Sequence, residues 1–421
     1  MRRKQIVLLV PTTTYRLDDF LQAAARLNID VILASNRCHV LAAEWPEHFG
    51  LSLPFSSLPE AVDKAYAALR DRTIDAIVAA DDYTTILAAR LNEKFKLHGN
   101  RHESVEKTRN KLSMRRALAD GGLRAPKFFS AKIDSPPESC LLKVEFPVVL
   151  KPLLLSGSRG VIRANTADEF VAAFHRIATL LRDREFFQMR RAAANRILVE
   201  SYIPGSEVAI EGLLTNGKLR VLAIFDKPDP LEGPFFEETI YVTPSRLPQE
   251  IQQQIHDAVA AACQILGLHH GPIHAEARLN EQGIFILEVA ARTIGGLCSR
   301  TLKFGAGLSL EELVLRHAVG ENVDDVTGLS GAAGVMMLPI PRSGKLRAVS
   351  GVEAARAVPF IQDLKITIPL DNFVKALPEG ASYLGFMFAR AETPAQVEQA
   401  LRAAQRKLQF HIQPSFSVVE N

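Results

Sequence analysis

The stretch His274-Ala-Glu-Ala-Arg-Leu-Asn-Glu-Gln-Gly-Ile-Phe-Ile-Leu-Glu288 decides how this chain is read, because it has the form of a β-hairpin that brings two carboxylates together. Ile273, Ala275, Ala277 and Leu279 alternate with His274, Glu276 and Arg278, and Phe285, Leu287 and Val289 alternate with Ile286, Glu288 and Ala290. Such period-two patterns mark strands. A three-residue loop, Glu281-Gln282-Gly283, with glycine in the left-handed position, pairs Asn280 with Ile284 and sets Glu276 opposite Glu288. A two-residue turn would offset that register, and a solvated face with Arg278 as counter-ion is the plainer alternative.

Like charges directly opposite destabilise a sheet, so something has to neutralise them. A hard divalent cation held by one or two carboxylates, with substrate phosphate oxygens completing its shell, is the arrangement typical of Mg2+ in enzymes that use ATP. His274 lies on the same face in this register. It is read either as a group that orients substrate or accepts a proton, or as a satisfied structural histidine.

At 421 residues the chain is long enough for two to four domains. Fifty Lys and Arg against 47 Asp and Glu give a net charge of +3, too balanced to argue for nucleic-acid or membrane binding. Four scattered cysteines, Cys38, Cys140, Cys263 and Cys298, have no metal-ligand spacing and fit a reducing, cytoplasmic setting. The apolar run Ile6–Val10 stops at Pro11 and reads as a buried strand rather than a targeting segment.

Residues 1–103 alternate short apolar runs with helical patterns, which implies a parallel-sheet α/β domain. Pro11-Thr-Thr-Thr14 stands where a dinucleotide fingerprint would follow the first strand. A basic helical stretch from Glu103 to Gly122 follows, then strand, Gly-rich loop and strand over 147–163, and a helix from Ala167 to about Arg184. Strands at Ile197–Glu200 and Glu207–Leu214 flank Tyr202-Ile-Pro-Gly-Ser206. Pro228–Pro244 reads as a long loop with one strand, and Lys227, Glu237 and Glu238 sit in or beside it. A new α/β set from about Gly331 looks like a separate small domain. Its segment Lys375-Ala-Leu-Pro-Glu-Gly380 argues for packing or dimerisation. Asp81 and Asp82 end a strand at the edge where open α/β sheets bind ligands, although helix capping explains them more simply.

Lys151 precedes Ser156-Gly157-Ser158-Arg159-Gly160 as a phosphate ligand precedes a loop of backbone donors. The order of Lys111, Lys151, that loop, Glu200 with Glu207, Gly271-Pro-Ile-His-Ala-Glu276 and Glu288-Val-Ala-Ala-Arg292-Thr-Ile-Gly295-Gly296 resembles the ATP-grasp superfamily, most of all its L-amino-acid ligase and carboxylate–amine ligase branch. The resemblance implies an N-terminal parallel-sheet domain (1–103), an α+β ATP-grasp core of two lobes (104–325, the smaller about 126–201) and a small C-terminal α/β subdomain (326–421).

It further implies ATP-dependent joining of a carboxylate to an amine through an acyl phosphate, with ADP and phosphate released. Lys111 and Lys151 would hold the α- and β-phosphates, with Ser156, Gly157, Ser158 and Gly160 over the γ-phosphate. Glu200 would accept from the adenine amine, Tyr202 and Ile203 would give backbone contacts, and Glu207 would hold the ribose. Glu276 and Glu288 would bind Mg2+ or Mn2+, with Glu288 bridging two ions. Arg292 would stabilise the transferred phosphoryl group, and Gly295 and Gly296 would leave room for the substrate, beside His274. Catalysis would thus rest on Arg292, Lys151 and Glu288. Ala290 stands where many members carry Asn as a third metal ligand, which leaves the number of ions open. Small-molecule carboxylate and amine partners and a homodimer are expected. Another ATP-grasp reaction, such as bicarbonate activation or a purine-pathway ligation, and a silent nucleotide-binding regulator are the alternatives.

Overall fold

The computed structural model describes residues 2–12, 14–36, 50–183, 192–328 and 331–414; Cys38 lies outside them. The apolar run at the N-terminus becomes the strand Gln5–Val10, buried from Ile6 onward. It sits inside a parallel sheet in the spatial order Gly50–Ser52, Asp30–Ser35, Gln5–Val10, Ala76–Ala79. Helices Leu17–Arg26, Leu58–Leu69 and Thr85–Phe95 accompany these strands. Continuous apolar strands are what a parallel sheet covered on both faces requires.

The basic stretch expected as one helix is two, His102–Arg109 and Lys111–Asp120. Asn110 breaks them apart: its backbone is extended, and its side chain accepts from the N–H groups of Leu112 and Ser113 as the N-cap of the second helix. Lys111 therefore opens a helix, and Arg115 follows one turn later.

A four-stranded antiparallel sheet, in the order Phe128–Lys132, Arg196–Ser201, Val148–Pro152, Ile162–Ala164, packs on the helix Ala167–Arg182 and forms the smaller lobe. The main sheet is antiparallel and has eight strands. Its spatial order is Gly283–Ala290, Gly271–Asn280, Ser206–Thr215, Lys218–Asp226, Ile240–Thr243, Ala332–Leu338, Gly385–Ala391 and Ile361–Ile366. The last three belong to the stretch expected as a separate subdomain. Ile240 pairs with Met336 and Thr243 with Ala333, so that stretch extends the main sheet. Its remaining strands, Phe373–Val374, Gly344–Ser350 and Gln409–Gln413, form a small sheet of their own. The fold is mixed α/β, as expected.

The opening hairpin exists, but with different turn geometry. Asn280 pairs with Gly283 across a two-residue turn, which offsets the ladder by one residue. A bulge between the pairs Ala277–Ile286 and Glu276–Glu288 then restores the offset, and Glu276 faces Glu288 after all. The bulge also corrects the expected faces. Ile286 joins the core, whereas Leu287 and Glu288 both line a cavity.

Candidate active site

A cavity of about 760 Å³ opens where the three large sheets meet. Of the residues that the resemblance assigns to nucleotide, metal or substrate, all but Gly160 line it; Lys227 and Glu237 do not. The Gly160 N–H is given to the Pro378 carbonyl at 2.8 Å, so Gly160 anchors the loop instead of facing the cavity.

Lys111, at the start of its helix, places Nζ 2.6 Å from the Leu155 carbonyl and 3.4 Å from Glu288 Oε2. Lys151 Nζ lies 2.6 Å from Glu200 Oε2. The other oxygen of Glu200 accepts from Arg115 Nε at 2.6 Å. Burial works against a charge on Glu200, but Arg115 and then Lys151 outweigh it and hold the carboxyl down at about 2. Arg115 is itself buried and also donates to the carbonyls of Ile286, at 2.7 Å, and Leu287, at 3.3 Å. One guanidinium thus ties the bulge to the strand Arg196–Ser201, which bears Glu200. Arg115 was missed from sequence, although its place four residues after Lys111 puts both on one helix face.

The loop Ser156–Gly160 takes left-handed backbone at Gly157 (φ 63°), Ser158 (φ 55°) and Gly160 (φ 71°). Such turns direct successive N–H groups inward, as an anion site needs. In the segment between lobes, the Tyr202 N–H is used by Pro147 and the Ile203 carbonyl by Arg278 Nη1. Among the described residues the Tyr202 carbonyl and Ile203 N–H make no bond, which leaves an acceptor and a donor side by side.

Glu276 belongs to a buried charge cluster. Lys227 Nζ stands 2.7 Å from Glu207, 2.6 Å from Glu238 and 3.1 Å from Glu276. Arg278 closes on the other oxygen of Glu207 at 2.8 Å. Burial, followed by repulsion from Glu276, pushes Glu238 up to about 7 against the pull of Lys227. Glu276 is buried too, yet Lys227 and His274 hold it ionised well below the usual carboxylate range. His274 Nδ1 meets the fully buried Glu211 at 3.2 Å, and Nε2 lies 3.8 Å from Glu276. Against its burial, Glu211 and Glu276 raise the imidazole to about 9. The imidazole thus sits between two carboxylates, Glu211 and Glu276. Glu211 also accepts from the Ile294 N–H at 3.0 Å, and so fixes the start of the Ile294-Gly295-Gly296 wall. Its signal was faint: one acid in a buried strand.

Arg292 Nη2 lies 2.7 Å from Asp82 Oδ2, and Arg109 approaches the other oxygen at 3.1 Å. Burial opposes a charge on Asp82, but the two arginines hold the carboxyl well below its ordinary value. Asp81 does cap, accepting from the Tyr83 N–H. Asp82 instead carries Arg292 across to the parallel sheet. Every other acid lining the cavity makes an ion pair; among the described residues Asp81 makes none within 4 Å, although its charge acts on Arg292.

These side chains supply two lysine ammonium groups, an arginine beside open space and hard oxygen donors on facing strands. Glu276 and Glu288, drawn together and neutralised by Lys227, His274 and Lys111, fit a divalent cation in donor type and placement. Lys227 Nζ sits among Glu207, Glu238 and Glu276, whose oxygens come within 4.8 Å of one another.

Known proteins share this fold. A family model described as an ATP-grasp domain matches residues 144–301, and one described as L-amino acid ligase C-terminal domain 2 matches residues 336–413. The crystal structure of an L-amino acid ligase from Bacillus licheniformis superposes with a TM-score of 0.82 at 25% identity, covering 98% of this chain and all of that one. A phosphoribosylglycinamide synthetase from Anaerococcus prevotii, at 16% identity and a TM-score of 0.68, shares the fold over 98% of this chain and all of its own. An uncharacterised protein of Sinorhizobium fredii is 24% identical over 332 residues, 79% of this chain and 66% of that protein. The alanine–anticapsin ligase of Bacillus subtilis is 27% identical over 256 residues, 57% of this chain. The matches span 66% and 53% of the length of these two relatives.

Proposed function

This chain belongs to the ATP-grasp family in its L-amino acid ligase branch, and on that premise we propose that it joins a carboxylate substrate to an amine with ATP. The observation that carries the reading is the convergence in one cavity of Lys111, Lys151, the facing pair Glu276 and Glu288, and Arg292.

A carboxylate oxygen attacks the γ-phosphorus of ATP, the bond to the bridging oxygen breaks, and ADP leaves. The amine nitrogen then attacks the acyl carbon, the bond to phosphate breaks, and the nitrogen gives up a proton. Positioning and charge neutralisation supply most of the acceleration in such transfers. Lys111 and Lys151 hold the α- and β-phosphates, and Ser156, Gly157 and Ser158 cover the γ-phosphate. The Tyr202 carbonyl and Ile203 N–H meet the adenine edge. Glu200, engaged on both oxygens, positions Lys151, and Glu207 lies beside the ribose. Glu276 and Glu288 would hold Mg2+, which supplies charge neutralisation for the phosphates. Arg292 meets the transferred phosphoryl group, and Gly295 and Gly296 leave space for the acyl part. Asp81 lines the cavity without a direct ion pair and is the acid placed to receive a substrate ammonium, which favours amino acids as substrates.

The test is release of ADP and phosphate from Mg-ATP with pooled amino acids, beside Glu288→Gln. Substrate-dependent ADP that disappears in the variant is expected. AMP and pyrophosphate as products would sink the acyl-phosphate route.

A further inference from the structure

The segment expected only to pack or dimerise reaches the active site. Residues Phe373, Lys375 and Glu379–Tyr383 line the same cavity as the loop Ser156–Arg159. The two are joined by direct bonds. Arg159 Nε donates to the Glu379 carbonyl at 2.6 Å, and the Gly160 N–H donates to Pro378 at 2.8 Å. A Cβ on Gly157 would lie 3.4 Å from that of Ala381, so the loop rests on the C-terminal wall without a gap. On the outer side, Arg176 of the helix Ala167–Arg182 grips Glu379 with both nitrogens, Nε at 2.5 Å and Nη2 at 3.0 Å. A bidentate arginine–carboxylate pair adds geometric definition as well as attraction.

We propose that Glu379 is a positioning residue which, with its neighbour Pro378, clasps the phosphate loop shut: its carboxylate holds Arg176, its carbonyl accepts from Arg159, and the Pro378 carbonyl accepts from Gly160. The clasp keeps water from an intermediate formed beneath the loop. Water attacking the acyl carbon in place of the amine regenerates the carboxylate and releases phosphate, so ATP is consumed with no amide formed. Nucleotide entry and ADP release require the clasp to part, which makes the C-terminal stretch a moving wall of the nucleotide site. What the closure protects rests on the ligase reading, whereas the closure itself can be observed without turnover.

The experiment uses the full chain, with Glu379→Gln, Arg176→Glu and the exchanged pair Arg176→Glu/Glu379→Arg. Amide hydrogen exchange is followed across residues 153–161, with ADP and Mg2+ present. Partly exposed ion pairs contribute little, so exchange at Gly160 should rise only about 3–5-fold in each single variant and return toward the original rate in the exchanged pair. Phosphate released per amide formed should rise in the single variants and fall back in the pair. Unchanged exchange in Glu379→Gln, or an exchanged pair no better than the single variants, overturns the clasp. Should the original chain form no amide with any amino acid pair, the ligase reading fails, and exchange still decides the clasp.

Discussion

Arg115 shows how much one side chain carries here. It neutralises Glu200 and satisfies two carbonyls at the hairpin bulge. Arg115→Met leaves the Glu200 charge with Lys151 alone. Breaking a buried pair by removing one partner costs about 3–5 kcal/mol, so denaturant unfolding should register a loss of that order together with weaker ATP binding. The pH profile should change as well. Glu200 titrates near 2 in the folded chain and near 4.5 when unfolded, so its contribution is present above pH 4.5 and is lost as pH falls toward 2. The variant, left with Lys151 as partner, should show a smaller acid-side loss. At the other end of the cavity, Asp81→Asn should raise KM for amino acids about tenfold or more. It should leave KM for the same carboxylic acids without the amino group unchanged, as competition kinetics would reveal; equal effects on both would remove Asp81 from ammonium recognition. A charged hydrogen bond contributes about 1.5–3 kcal/mol, which sets that scale.

Among the elements, the hairpin instructs most. That Glu276 meets Glu288 was legible in sequence, but the turn was not. A two-residue turn and a bulge cancel, and the bulge is stabilised by an arginine some 170 residues upstream in the chain. Local alternation carries no trace of such a partner. The linker between lobes was legible as Tyr202-Ile-Pro-Gly, whereas its docking on the hairpin was not. Gly205 has φ 117°, and a Cβ there would come within 2.0 Å of the Leu279 carbonyl. Gly205→Ala must push the linker off the hairpin, at a cost of about 1–3 kcal/mol for the strained backbone. ATP affinity, measured by calorimetry, should fall at least tenfold while the chain stays folded.

On the scale of the whole molecule, three strands of the first sheet were readable because each apolar run is a buried parallel strand, whereas the short edge strand Gly50–Ser52 was not. The continuity of the main sheet was not, since Ile240–Thr243 pairs with a strand that follows only at Ala332. Histidines from distant segments meet at one contact between these parts. His270 stacks on His317 at 4.3 Å between ring centroids, with His98 at 5.4 Å. Burial, then the other imidazoles, lower His270 to about 4. The unfolded chain protonates it near 6.5, so stability is complete above that pH and declines as pH falls from 6.5 toward 4. His270→Gln should flatten that part of a melting-temperature profile; an unaltered slope would show that the decline arises elsewhere. The long-range pairing also governs how the protein is made. A ribosome delivers Ile240–Thr243 well before Ala332–Leu338, and throughout that interval the half-built sheet presents a bare edge, a ready template for the same segment on a neighbouring nascent chain. Slow synthesis across residues 244–331 therefore favours aggregation, and a chaperone that shields that edge until the partner strand emerges would raise the yield of native protein.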